Sequence, residues 1–224
     1  MLELSVFCDE SGGMNGTSRY RLVTLVFHYQ SQDISPHIEA YERNLEDKGL
    51  PNIPFHTGPL MYGKGPYRDI DLADRRKMMA SFSFFQAKLP FKYKTFAYRR
   101  SEFDGEASFM ARFKRDLVLL LCDNLSFFQS FEQVKIYYDD GQRTISNALH
   151  AALEYELSKH AVMYRDASPA DYRLSQVADY LCAIELIGIK FDAHEINATD
   201  EKFFGLSATI FKRDYLKKAR RKLL

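Results

Sequence analysis

The sequence predicts a mixed α/β protein built on one central sheet. Three observations carry this expectation. Two runs rich in Val, Leu, Phe and Tyr flank a turn-rich link near the start, as in an antiparallel hairpin. Strand-like and helix-like segments then alternate to the end. No Pro/Gly/Ser-rich linker or low-complexity block divides the 224 residues, so a single domain over 1–224 is expected.

The elements follow in order. Glu3 to Cys8 reads as a first strand and Arg19 to Tyr29 as a second, joined by "SGGMNG". "SPHIEAYERNLEDKG" reads as a helix, with Ser35 as N-cap, Pro36 in the first turn and Gly49 as the stop. The stretch "LPNIPFHTGPLMYGKGPYRDIDL" is irregular and dense in Gly and Pro. From Asp71 a helix with an acidic first turn is expected. "PFKYKTFAYRR" alternates as a strand, with Phe91, Tyr93, Thr95 and Ala97 on one side. Residues 106–131 read as one long, mostly buried helix.

"QVKIYYDDG" reads as a strand that ends in an acidic pair. Ile145, Ala148, Leu149, Ala152 and Leu153 recur at helical spacing behind a Thr144 cap. "AVMYRDAS" is a short strand, "SQVADYLCAIELIGIKF" a helix, and "SATIFKRDYLKKARRKLL" a basic C-terminal helix.

Composition narrows the function classes. The formal net charge is +1, so only local clusters, not global charge, can mark a polyanion binder. The three cysteines show no CxxC spacing, which argues against a disulfide framework and a Cys-based zinc site and for a reducing, cytoplasmic setting. The opening residues lack a basic n-region and a long apolar h-region, and the longest apolar run, Leu117 to Cys122, is too short to span a bilayer. No membrane association is expected.

Carboxylates at unusual places carry the functional reading. Asp9 and Glu10 follow the first strand, Asp139 and Asp140 follow "VKIYY", and Asp179 lies inside an apolar helix among Val177, Tyr180, Leu181 and Ile184. Asp is a poor helix-interior residue, and a carboxylate forced toward a core must pair, protonate or bind a metal. Several carboxylates without Cys or His suit Mg²⁺ or Mn²⁺, which prefer oxygen ligands. Two such ions about 4 Å apart can activate water and stabilise the leaving oxygen in phosphodiester cleavage. Each position also has a plain structural role open to it: turns at "DESGG" and "DDG", and an ion pair from Asp179 to an arginine such as Arg173.

At these residues the chain resembles a known family. "FCDESG", "IYYDDG" and "SQVADYLC" look like motifs of the domain of unknown function 3800 family, in order and over nearly the whole chain. That family is similar to the ribonuclease H-like superfamily. The resemblance implies a mixed five-stranded sheet, three antiparallel strands then two parallel ones, flanked by helices. It implies catalytic carboxylates on the first strand, the fourth strand and a late helix, which here are Asp9, Asp139 and Asp179. The superfamily often adds a Glu on the helix after the third strand. Glu106 is near such a helix start but matches no family motif.

Supporting residues are Glu10, as a ligand or a group behind the ligands, Ser11 in the turn, and Asp140 beside Asp139. Gln176 is three residues before Asp179 on one helix face and would hold a phosphate or a metal-bound water, or cap the helix. Asp166 and Ser168 end a short strand near the same helix. His56, in a Gly/Pro-rich loop, would shuttle protons or serve as a hydrogen-bonded structural residue. "GKG" at 63–65 is not a Walker motif. The C-terminal Lys/Arg run would contact phosphates or be a solvated helix face. The expected function is a divalent-metal-dependent phosphodiesterase, a nuclease, using Mg²⁺ or Mn²⁺. The alternative is a non-catalytic module on the same fold that binds nucleic acid or protein.

Overall fold

Alternation along the strands sorts the chain into three layers. The structure is a computed structural model that describes residues 2–12, 18–138, 143–157, 160–164, 172–205 and 207–224, with backbone alone at 143 and 155–164. The strands are β1 (Glu3–Ser11), β2 (Tyr20–Tyr29), β3 (Lys92–Arg99), β4 (Gln133–Tyr137) and β5 (His160–Tyr164). They lie in the order β3-β2-β1-β4-β5. β2 is antiparallel to both β1 and β3, whereas β4 runs parallel to β1 and β5 parallel to β4.

Successive strand residues point to opposite faces. Leu4, Val6 and Cys8 of β1 therefore enter one apolar cluster, with Phe113 of α4 (Glu106–Asp123), Phe128 of α5 (Leu125–Gln129) and Leu149 of α6 (Arg143–Leu157). Phe7 enters the other cluster. There it meets residues of α1 (Ser35–Asp47), α2 (Thr57–Tyr62), α3 (Leu72–Lys88) and α7 (Arg173–Asp192). α7 packs across β1 and β2 and brings Val177, Tyr180, Leu181 and Ile184, all fully buried, against that face.

Several expectations are corrected. β1 runs on to Ser11, so Asp9, Glu10 and Ser11 are strand residues rather than turn residues. Their side chains are directed by the pleat: Asp9 pairs in register with Thr24, and Glu10 with Val23. Ser35 is the first residue inside α1, and its N–H is capped by the Asp33 carboxylate at 2.9 Å. The irregular stretch holds α2 and a 3₁₀ turn over Gly65–Tyr67. The helix expected over 106–131 breaks at Asn124, where ψ leaves the helical range and the side-chain amide bonds back to Leu120 O at 2.9 Å. α6 begins at Arg143, which places Thr144 inside its first turn.

The sequence reading passed over α8 (Ala198–Phe204). It opens with a capping box, in which Asn197 accepts from the Asp200 N–H at 2.8 Å and the Asp200 carboxylate accepts from the Asn197 N–H. "NATD" was the available signal. The C-terminal run is α9 (Ala208–Phe211), a π-helical turn (Lys212–Leu216) and α10 (Lys217–Arg220). Its tail locks onto the edge of β3 through Tyr93 N–H to Lys222 O at 2.9 Å and Leu224 N–H to Tyr93 O at 3.0 Å. Among the described residues no helix is long and apolar enough to cross a membrane.

The layer under α7 is held by aromatic packing. Phe55 and Phe82 stack with centroids 3.8 Å apart, and Tyr180 closes on both. Phe82→Ala is expected to cost about 3–5 kcal/mol in urea unfolding, the range for truncating a buried aromatic. Phe84→Ala, at a side chain left 60% exposed, is expected to shift stability by about 0.5 kcal/mol or less.

Candidate functional site

The pleat of β1 decides which carboxylates meet. Asp9 shares the face of Phe7, under α7. Glu10 shares the face of Val6 and Cys8, under α4. The acidic pair is therefore split across the sheet. Glu10 accepts a hydrogen bond from Arg21 at 3.2 Å, and the same guanidinium binds both oxygens of Glu106 at the start of α4. Arg21 also lies 3.7 Å above the centre of the Phe109 ring. The pleat sends the Glu10 side chain to the face opposite the Asp9 carboxylate, while the Glu10 backbone and charge still act on Asp9. Glu106 belongs to this second cluster too, tied down by an arginine that the sequence reading did not single out.

On the α7 face, Asp9 and Asp179 confront each other. Burial first, then the Asp179 charge, holds the Asp9 carboxyl well above the usual carboxylate range. Burial also raises Asp179, against the pull of His56 and of the Thr57 hydrogen bonds. The two acids keep some exposed surface, 18% for the Asp179 side chain. Among the described residues no Lys or Arg pairs with either. The Cys182 thiol, one turn after Asp179, donates to Asp9 and in turn accepts from the Thr24 hydroxyl. Thr24 Oγ1 lies 2.8 Å from Thr95 Oγ1 on β3. Burial and the Asp9 charge push the Cys182 thiol up, which keeps its proton available to donate. All three cysteines are free.

Asp179 is oriented from the loop above. The Thr57 N–H donates to Asp179 Oδ2 at 2.7 Å and the Thr57 hydroxyl to the same oxygen at 2.6 Å. His56 Nε2 is 3.5 Å from Oδ1, with its ring 60% exposed. The loop is fixed in place by buried Tyr67. Its hydroxyl donates to Pro54 O at 2.9 Å and accepts from the His56 N–H at 3.1 Å. Arg75 secures the far end of α2 through Leu60 O and Met61 O at 2.7 and 2.9 Å, where Gly63 turns with φ 62°. The Gly/Pro-rich stretch is thus a rigid carrier of His56 and Thr57.

Other candidates are placed as follows. Gln176 is fully buried and accepts from Arg173 at 3.1 Å. Arg173 also donates to Glu42 at 2.7 Å and Asn52 at 2.8 Å, so the pairing considered for Asp179 is made with other groups. Ser11 lies two residues beyond Asp9 on the same strand face. Asp139, Asp140, Asp166 and Ser168 lie outside the described residues. Among the described residues no group of three His, Cys, Asp or Glu side chains is disposed to hold a metal. β4 brings Tyr137 into register with Phe7, and Asp139 follows two residues later in the sequence.

Much of the basic C-terminal run is engaged within the fold. Lys212 pairs with Asp192, Arg213 with Asp214 at 2.7 Å, and Arg220 with Glu185 at 2.7 Å. Lys218 lies over the Phe84 ring. Thr57, Cys182 and Thr24 are site residues that the sequence did not reveal. A threonine after a loop histidine gives no sign that both its donors converge on a carboxylate 122 residues away.

Comparison with protein-family models, with curated proteins and with solved structures finds no match.

The raised carboxyls fix a sign for pH dependence. In the folded chain Asp9 binds its proton more tightly than in the unfolded chain. Stability from this group is therefore lost as pH rises from the ordinary carboxylate range through the raised folded value. Asp9→Asn is expected to raise the melting temperature of the metal-free protein at pH 7. That gain should shrink as pH falls toward about 4, the unfolded carboxyl value. Thr57→Val is expected to cost about 1.5–3 kcal/mol at pH 7, the range for hydrogen bonds to charged groups, and to raise the Asp179 carboxyl further, read by ¹³C NMR titration.

Proposed function

We propose that the chain is a divalent-metal-dependent phosphodiesterase, a nuclease on a ribonuclease H-like sheet. One observation carries the reading. Asp9 from the first strand and Asp179 from a late helix face each other on one side of the sheet, with no Lys or Arg pairing either among the described residues. Two such acids in a packed site need a proton or an added cation between them. The strand order β3-β2-β1-β4-β5, with β4 parallel to β1, supports the ribonuclease H-like reading. So does the resemblance of "FCDESG", "IYYDDG" and "SQVADYLC" to motifs of the domain of unknown function 3800 family. Three free cysteines accord with a reducing, cytoplasmic setting.

The donor set fits Mg²⁺ or Mn²⁺, being carboxylate oxygen throughout. Asp9 and Asp179 would hold the metal, with Asp139 as the third carboxylate. The bound ion would supply an activated water and charge neutralisation at the phosphate. The chain's own residues prepare the site. Thr57 fixes the Asp179 carboxylate through two donors to one oxygen and leaves Oδ1 open toward His56. On the same face, the Cys182 thiol of α7 offers Asp9 a single donor. His56 stands at the exposed mouth, where an imidazole can give a proton to a departing oxygen.

The reading is tested by cleavage of nucleic acid with Mg²⁺ or Mn²⁺, and by Mn²⁺ titration calorimetry. Asp9→Asn and Asp179→Asn are each expected to lower the cleavage rate by about 100-fold or more, since even groups behind metal ligands are worth 10–100-fold. Both variants should also lose the calorimetric Mn²⁺ signal. Cleavage that persists unchanged in both variants would sink the assignment.

A further inference from the structure

Three segments lead away from the carboxylate pair toward one cavity. β1 passes from Asp9 to Ser11, about 7 Å at strand rise. α7 passes from Asp179 to Leu186, about 10 Å at helix rise. α2 passes from Thr57, which holds Asp179, to Tyr62, about 7.5 Å. Ser11, Leu186 and Tyr62 all line a cavity of about 610 Å³. Its polar lining also includes Arg19, Lys190, His194, Asn197 and the Glu195 carboxylate.

The lining has a distinct chemistry. Tyr62 is 53% exposed, so much of its ring is open to solvent, and the Lys64 ammonium stands 5.5 Å from its centre. The Arg19 side chain is 77% exposed and, among the described residues, is held by Glu195 at 2.8 Å. Such an exposed pair is weak and screened by salt, so a phosphate can take the guanidinium from Glu195. Lys190 is different: it is pinned to buried Asp200 at 2.8 Å and contributes a wall rather than a free charge. Ser11 and Asn197 add short polar groups to the lining.

We propose that this cavity is the subsite for a single-stranded polynucleotide next to the scissile phosphodiester, with a base on Tyr62 and a phosphate on Arg19. The inference rests on the phosphodiesterase reading and specifies its substrate. A cavity of this size matches a ligand of one or two nucleotides. At a rise of about 3.4 Å per stacked nucleotide, a span of about 10 Å lies within reach of a strand anchored at Asp9 and Asp179. Selection for single strands follows from stacking. In a duplex each base face is covered by its neighbours, whereas a single strand can turn one onto an exposed aromatic ring. One exchangeable arginine implies a shallow salt dependence.

The test is fluorescence anisotropy of a labelled ten-nucleotide single strand, DNA and RNA in turn, on the full chain in EDTA. Tyr62→Ala is expected to weaken binding by about 5- to 100-fold, the equivalent of one lost base stack, while Tyr62→Phe binds as wild type. Arg19→Ala is expected to lower the slope of log K against log salt by about 0.7. A duplex of the same sequence should compete more weakly than the single strand. Wild-type binding in both Tyr62→Ala and Arg19→Ala, equal competition by duplex, or no binding of either strand would overturn the subsite. Failure of the phosphodiesterase reading is read separately, as metal-dependent cleavage unchanged by Asp9→Asn. Tyr62→Ala in a protein that does cleave should raise KM for single-stranded substrate more than it lowers kcat.

Discussion

The structure depends on the contact between α7 and β1 across one face of the sheet. α7 buries Val177, Tyr180, Leu181 and Ile184 fully, and that burial fixes the rotation of the helix about its axis. The same rotation turns Asp179 and Cys182 toward β1 and Asp9. An apolar seam thus holds two acids together that would otherwise move apart. Hydrophobic burial at about 25 cal/mol per Å² over so many side chains outweighs the electrostatic cost of one strained carboxyl pair. A cation between the acids would turn that cost into binding free energy.

A second layer of control comes from the segment before α3. Tyr67 pins the backbone at Pro54 and His56, Arg75 caps the end of α2, and Phe55 is stacked on Phe82. Thr57 consequently meets Asp179 with both donors already positioned. Pre-organisation of this kind removes ordering entropy from the moment of binding. On the opposite face, Glu10, Arg21 and Glu106 form a closed ion cluster over Phe109. It anchors the start of α4 to the hairpin and engages Glu10, the neighbour of Asp9 in the sequence.

Parts of this were legible from the chain alone. The opening hairpin follows from its β-forming runs and the turn between them, and the antiparallel pairing of β1 with β2 agrees. The rows of Ile145, Leu149 and Leu153 on α6 face the core as their spacing requires. Asp179 stood out because aspartate is costly inside an apolar helix. The break at Asn124 was not legible, since residues on both sides are helix formers and only a local amide-to-carbonyl bond ends the first helix. The capping box before α8 was legible and was passed over.

The sequence by itself determined which residues are unusual: an acid at the end of an apolar strand, an acid within an apolar helix, a histidine in a Gly/Pro-rich loop. Composition and local periodicity are properties of neighbours in the chain, so they identify such anomalies well. Which anomalies belong together was decided only by the tertiary structure. Adjacent Asp9 and Glu10 are sent to opposite faces by the pleat, whereas Thr57, 122 residues away, is hydrogen-bonded to Asp179, whose charge acts on Asp9. The reason is physical: burial of helix faces joins residues more than a hundred apart, which no short stretch encodes, and the pleat separates Asp9 from Glu10 because pairing with β2 carries β1 past Cys8 to Ser11.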